Sequence, residues 1–252
     1  MAVVADRTKR KANMHDIELT SRTDISPHAV ILRARLMPAK SDGPEEPFSF
    51  KPGQWVYLID SEGFRDDKRA YSLSSTPAMD ELEFGIELVP NGLFSARVRR
   101  WQVGDHFTIR GPFGTFQLNQ PVDYHWLGLS FNAGIVPLVS MIRARLIDAG
   151  DTRQRYGLCF GYTDAEYLMY DTELRALAQT HPNFSYEAIA AGSLDPRDLA
   201  TERLAKQIEW MACHDGGCRA YLAGVGAFID HVQPLVESAG IGRERILVER
   251  YD

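Results

Sequence analysis

The 252-residue chain is poor in cysteine. It has three, Cys159, Cys213 and Cys218, too few for a disulfide framework and suited to a reducing compartment. Cys213 and Cys218 have the C-x4-C spacing that opens a plant-type iron–sulfur run, but the next position in that pattern is Tyr221, so no fused [2Fe–2S] domain is expected. Long hydrophobic runs are missing too. The longest apolar stretch, 126–142, is interrupted by Ser130, Asn132, Gly134 and Pro137. It reads as a strand, a tight turn and a helix start rather than a membrane span. The opening MAVVADRTKRK has no apolar core of a signal peptide, so a cytoplasmic location is expected. Positive charge is not in excess: the net charge is −6, which gives no electrostatic case for a nucleic-acid partner. No pair among the seven histidines has metal-ligand spacing, and Cys213, His214 and Cys218 are poorly spaced for zinc, so no metal site is expected. There is neither a P-loop nor a G-x-S-x-G elbow.

What is present suits a folded protein, with 44% hydrophobic and 25% charged residues. The first 120 residues hold 16 Lys+Arg against 16 Asp+Glu, and the rest hold 12 against 18, which hints at two differently surfaced halves. The pattern also changes midway. AVILRARLM (29–37), QWVYLID (54–60), ELEFGIELV (81–89) and DHFTIRG (105–111) are short β-rich runs, broken by SDGPEEP (41–47), KPG (51–53) and GPFG (111–114). They predict an antiparallel β-barrel. Beyond 119–121 strand-like WLGLSF (126–131), YGLCFGY (156–162), FSYEAIA (184–190), AYLAG (220–224) and RILVERY (245–251) alternate with helical stretches at 136–149, 170–178, 198–211 and 227–238. In the first helix Ile142 and Leu146 mark the apolar face, with Arg143 and Arg145 off it. Strand alternating with helix predicts a parallel sheet covered on both faces. The expected domains are a flexible 1–15, a β-barrel over 16–121 and an α/β domain over 122–252.

The most informative segment is Arg69-Ala70-Tyr71-Ser72. In extended structure Arg69 and Tyr71 fall on one side. A guanidinium can pair with phosphate while a phenol ring stacks on a flat heterocycle. Alone, the segment is better read as a strand with an exposed Arg and a core Tyr. Asn91-Gly92-Leu93-Phe94-Ser95 follows, between a strand and a short helix. Backbone N–H groups there suit a pyrophosphate, although a simple N-cap explains the residues too. Gly104-Asp105 and Gly111-Pro112-Phe113-Gly114-Thr115-Phe116 complete the series.

In this order the four motifs, R-x-Y-S, G-x-x-S, G-D and G-P-x-G-x-F, resemble the ferredoxin–NADP reductase superfamily over about residues 16–252, and VPNGLFSARV (89–98) resembles its stand-alone bacterial members. The resemblance implies a Greek-key antiparallel β-barrel binding FAD, then a doubly wound parallel α/β domain binding a nicotinamide nucleotide. It gives Arg69 a flavin phosphate, stacks Tyr71 on the flavin and sets Ser72 near N5. Leu88, Gly92, Leu93, Phe94 and Ser95 become the FAD loop. FAD and FMN stay open, since the same phosphate contacts serve both.

The family's nicotinamide loop, approximately A-G-G-T-G-I-A-P, corresponds to Ser130-Phe131-Asn132-Ala133-Gly134-Ile135-Val136-Pro137. Asn132, Gly134, Ile135 and Pro137 are assigned to the nucleotide with Gly161 and Gly224, while Phe131, Asn132 and Ala133 replace smaller or hydroxylic residues. In the later Cys-Gly-x-x-x-Met element Ala223 stands for Cys and Phe228 for Met. Asp164 lies where NADP-selective members carry Arg, and an acid suits a free ribose hydroxyl; NADH is therefore favoured over NADPH. Tyr251, near the end as in many members, is by that resemblance a cover for the flavin, although a half-buried Tyr of a C-terminal strand explains it equally well. The implied activity is NAD(P)H reduction of FAD, with single electrons passing to a separate ferredoxin, flavodoxin or oxygenase component. A monomer is expected, with no nucleic-acid or membrane partner. The replaced loop residues leave a second reading: a flavin-carrying electron-transfer or regulatory subunit with a degenerate nicotinamide site.

Overall fold

A computed structural model describes residues 14–38, 47–60, 68–118, 120–193, 195–199, 201–212 and 217–251. Residues 1–13 of the expected flexible segment, and the Cys213–His214 pair weighed for zinc, lie outside them.

Six strands form the first sheet: β1 (Met14–Ser26), β2 (Ala29–Leu36), β3 (Trp55–Ile59), β4 (Lys68–Ser72), β5 (Leu82–Glu87) and β6 (His106–Phe113). Their order is β4-β3-β6-β1-β2-β5, and every pairing is antiparallel. The sheet curls until its edges meet: Ser74, just past β4, donates its N–H to the Glu83 carbonyl of β5 at 2.9 Å. Period-2 alternation fills the interior with Val30, Leu32 and Ala34 of β2, Val56 and Leu58 of β3, and Phe84 and Ile86 of β5. A short helix, α1 (Leu93–Val98), plugs this barrel with Phe94 and Val98.

The second sheet is parallel, β7 (His125–Phe131), β8 (Tyr156–Tyr162), β9 (Phe184–Ala190), β10 (Cys218–Gly224) and β11 (Ile246–Arg250), in the order β11-β10-β7-β8-β9. All seven residues of β7 are buried, because a strand covered on both faces must be apolar throughout. Helices α2 (Ile135–Arg143) and α3 (Asp171–Thr180) cover the Trp126 and Phe160 face. Helices α4 (Thr201–Ala212) and α5 (Gly226–Ser238) cover the Leu127 and Leu222 face. The chain winds outward from β7 in both directions, so the crevice between the β7 and β10 ends is where such sheets bind ligands.

One helix departs from the sequence reading. The stretch 136–149 is not a single α-helix: α2 ends at Arg143 and a π turn runs over 144–148. Nor do its arginines face solvent. Arg143 is 7% exposed, because the barrel covers the side of α2 that its own periodicity assigns to water. Arg145 is drawn in by Asp151 and by the Tyr156 hydroxyl, to which its Nε donates at 3.0 Å. Among the described residues no helix is long and apolar enough to cross a membrane.

Candidate functional site

A cleft of about 610 Å³ lies between the barrel and the parallel sheet, where β7 and β10 end. Its barrel wall comes from β3 and β4. As the sheet's edge strand, β4 borders the cleft with both faces. Arg69 and Tyr71 oppose Leu58 and Val56, whereas Ala70 and Ser72 oppose Tyr57 and Trp55. The cleft is thus bounded by Arg69, Tyr71 and Ser72 together with the aromatics of β3.

Tyr71 is half-buried, and its ring centroid lies 5.7 Å from that of Phe94. Burial pushes its phenol well above the ordinary range, although Arg69 pulls the other way. The ring therefore stays neutral and offers a flat face rather than an acid. Ser72 Oγ lies 3.3 Å from the Tyr251 hydroxyl, a contact that joins the barrel to the segment following β11. Burial raises the Tyr251 phenol too, and it raises the Glu249 carboxyl beside it. The Tyr251 N–H donates to the Gly224 carbonyl at 3.0 Å.

The opposite wall is the turn from β7 into α2. Asn132 takes φ 45, a left-handed conformation Asn tolerates better than most residues. Its Oδ1 accepts the Thr163 N–H at 3.1 Å and its Nδ2 donates to the Thr163 hydroxyl at 3.4 Å, tying the turn to the end of β8. Gly134 permits the closest approach in the site: a Cβ there would sit 2.0 Å from the Ala223 carbonyl oxygen. Phe131 and Phe228 stack at 5.6 Å with an interplanar angle of 27°. The two aromatic replacements noted in the sequence are therefore one contact, buried beneath the turn. Ile135 and Pro137 are buried at the start of α2. Gly161 is buried against Leu199 and Phe131. Asp164 is exposed beyond β8, its Oδ1 accepting the Glu166 N–H at 3.0 Å.

Arg69, Tyr71, Ser72, Asn132 and Tyr251 meet in this one cleft. The loop residues Gly92, Leu93, Phe94 and Ser95 do not line it; they sit behind Val89, which does, and Ser95 Oγ accepts the Val89 N–H at 3.1 Å. Leu88 is 2% exposed in the barrel core, and its carbonyl accepts from Arg99 at 3.1 Å. Sequence reasoning missed Trp55, Tyr57, Glu87 and Val225. The first two carried a signal: in QWVYLID the aromatics alternate with the buried Val56 and Leu58 yet stay half-buried themselves. Glu87, whose carboxyl burial raises, carried none.

Residues 16–118 match the oxidoreductase FAD-binding domain family, and residues 133–234 match the oxidoreductase NAD-binding domain family. The chain belongs to the ferredoxin–NADP reductase superfamily. A similar superfamily member is the ferredoxin–NAD(P)(+) reductase component of the naphthalene 1,2-dioxygenase system of Pseudomonas putida, 31% identical over 82% of this chain and 62% of its own length. Ferredoxin–NADP reductase B of Sorangium cellulosum is 28% identical over 84% of this chain and 89% of its own. The ferredoxin–NADP+ reductase of Plasmodium falciparum shares the fold, with a TM-score of 0.79 at 17% identity over 95% of this chain and 97% of its own. The chain spans only about 60% of the length of several curated relatives. The barrel followed by an α/β domain is the superfamily's two-domain fold, as the sequence resemblance implied. Its cleft also fits a flavin: it is largely apolar, flanked by neutral phenol rings, and has a guanidinium at its edge.

Proposed function

We infer that the protein is an FAD-dependent NAD(P)H reductase that passes single electrons to a separate acceptor protein. One observation carries the reading: Arg69, Tyr71 and Ser72 of the barrel share a single cleft with Asn132, Ala133 and Tyr251 of the α/β domain. Both half-sites that such chemistry needs therefore face one space. Arg69 would hold a flavin phosphate, Tyr71 would stack on the ring system, and Gly92 to Ser95 would shape the loop behind the pyrophosphate. A bound flavin supplies the conversion of a two-electron hydride into single electrons. The protein's own part is orientation. Ser72 and Tyr251 hold each other's hydroxyls across the reacting side, and Tyr251 must swing aside for a nicotinamide to stack there.

NADH is the favoured nucleotide, since the exposed Asp164 beyond β8 opposes a 2′-phosphate. Gly134, Ile135, Pro137, Gly161 and Gly224 would form the nucleotide cleft by their small size or by fixing the turn. The printed descriptions of the relatives, ferredoxin reductases and the reductase components of oxygenase systems, support a ferredoxin or an oxygenase component as acceptor. The reading has the protein working as a monomer in the cytoplasm.

The stacked Phe131 and Phe228 favour one alternative, an electron-transfer subunit whose nicotinamide site has degenerated. Anaerobic mixing of the FAD-loaded protein with each nucleotide separates the two. Rapid loss of the flavin's visible colour, faster with NADH, is expected; a protein that binds FAD but keeps its colour with both nucleotides is the subunit.

A further inference from the structure

The two domains meet through a buried polar junction that the cleft itself does not use. The segment following Ser72 is sealed: Leu73, Ser74 and Ser75 are 0% exposed and Thr76 is 1%. Its two serines are nevertheless bonded to both domains. The Ser74 hydroxyl donates to Glu83 Oε1 at 2.9 Å and accepts from the Tyr170 hydroxyl at 2.9 Å. The Ser75 carbonyl accepts from the Ser140 hydroxyl of α2 at 2.6 Å, and the Ser75 hydroxyl accepts the Glu83 N–H at 3.0 Å.

Arg143 ties these groups together. Its Nη1 donates to Glu83 Oε1 at 2.7 Å and to the Ser74 carbonyl at 3.0 Å. Its Nε and Nη2 grip the two oxygens of Glu173 on α3 at 2.7 and 2.6 Å. Arg33 holds the other Glu83 oxygen at 2.8 Å. One side chain thus bonds the barrel through Glu83 and Ser74 and the α/β domain through α3, while growing from α2.

The positions of these ties matter more than their number. Ser74 lies two residues after Ser72, which lines the cleft on the barrel side. Arg143 ends the helix whose first turn, through Val136, lines the cleft on the other side together with Ala133 just before it. A rigid helix transmits the position of one end to the other, and a planar five-donor guanidinium fixes direction as a flexible ammonium does not.

We propose that Arg143 is a positioning residue, which sets the alignment of the two cleft walls by locking Ser74 and Glu83 to helices α2 and α3. The inference rests on the reductase reading for its kinetic consequence, not for its structural one. Misalignment by about 1 Å lowers such rates by roughly 100-fold, so loosening the lock slows reduction without weakening either ligand.

The test uses the FAD-loaded full chain and two variants. Arg143→Lys keeps a cation beside Glu83 but loses the fork, and Glu173→Gln weakens the α3 side alone. Deleting the guanidinium outright would strand the Glu83 charge and test folding instead. Three quantities are measured: the dissociation constants of FAD and NADH, the limiting rate of flavin reduction at saturating NADH, and amide hydrogen exchange. Expected are both dissociation constants within about threefold of wild type, a limiting rate lowered tenfold or more in Arg143→Lys, and exchange accelerated about tenfold at 73–76 and 133–136 beyond any change in the rest of the chain. An unchanged limiting rate with unchanged exchange overturns the proposal. So does a uniform loss of ligand affinity and stability, which marks a merely structural role. A wild type that neither nucleotide reduces sinks the reductase reading instead, and the exchange result then decides the alignment claim alone.

Discussion

Gly134 shows how much one missing carbon can matter. The atom its Cβ would meet, at 2.0 Å, is the backbone carbonyl oxygen of Ala223, which cannot rotate away as a side chain would. Gly134→Ala should therefore cost about 3 kcal/mol, the upper end for overpacking, read from urea denaturation. Gly192, whose Cβ would meet nothing within 4 Å, provides the contrast: Gly192→Ala should change stability by less than about 0.5 kcal/mol. Asp164 bears on selectivity. Removing its charge with Asp164→Ser should raise the NADPH-to-NADH ratio of kcat/KM about tenfold, equivalent to ~1.4 kcal/mol; steady-state assays with both nucleotides check this. Residue-scale reasoning from the sequence assigned Arg69, Tyr71 and Ser72 to one ligand because their motif names it, and Tyr251 only from its place near the end. It missed Trp55 and Tyr57 because they reach the cleft only through cross-strand pairing with β4.

At the scale of elements, legibility followed periodicity. β8 and β9 occupy the residues read from the sequence, 156–162 and 184–190, since buried parallel strands are plain apolar runs. β1 was hidden: its register shifts between Leu19 and Ser21 and again between Asp24 and Ser26, and each shift breaks the alternation that would announce a strand. The π turn over 144–148 was equally invisible, since its residues read as a continuation of the helix. Asp151 accepts from Arg145, from the Tyr156 hydroxyl at 2.7 Å and from the Arg153 N–H at 2.8 Å. Burial alone would raise its carboxyl, but the Tyr156 hydroxyl, the Arg153 and Gln154 N–H groups and Arg145 bring it down to about 2. Asp151→Asn should destabilise the protein by roughly 2 kcal/mol, as expected for hydrogen bonds to a charged group. It should also speed amide exchange across 144–148 first, which mass spectrometry resolves by segment.

Across the whole molecule the two domains are joined by charge as well as by apolar contact, and pH should report it. Burial pushes the Glu83 carboxyl up, yet Arg143, with help from Arg33 and Ser74, holds it below the ordinary glutamate range. A carboxyl whose folded pKa is depressed contributes stability that is complete above its unfolded pKa, ~4.3. That stability is lost as pH falls through the lower folded value. The urea midpoint should therefore stay level from neutral pH to about 5 and then fall, with exchange at 73–76 rising before global unfolding. Sequence reasoning foresaw two domains and their order but not this joint, because Arg143 looks solvent-facing until the barrel covers it.

The burial of that joint has a practical consequence. Exposed ion pairs fade as electrolyte is added, since the screening length shrinks to about 3 Å at 1 M, whereas pairs sealed from solvent are screened far less. Glu83 is 1% exposed and Arg143 7%, so ions cannot readily enter between them. Concentrated sodium chloride should strip a partner held by exposed ion pairs from the surface while the two halves of the molecule stay clasped, and unclasping them should instead take acid strong enough to protonate Glu83.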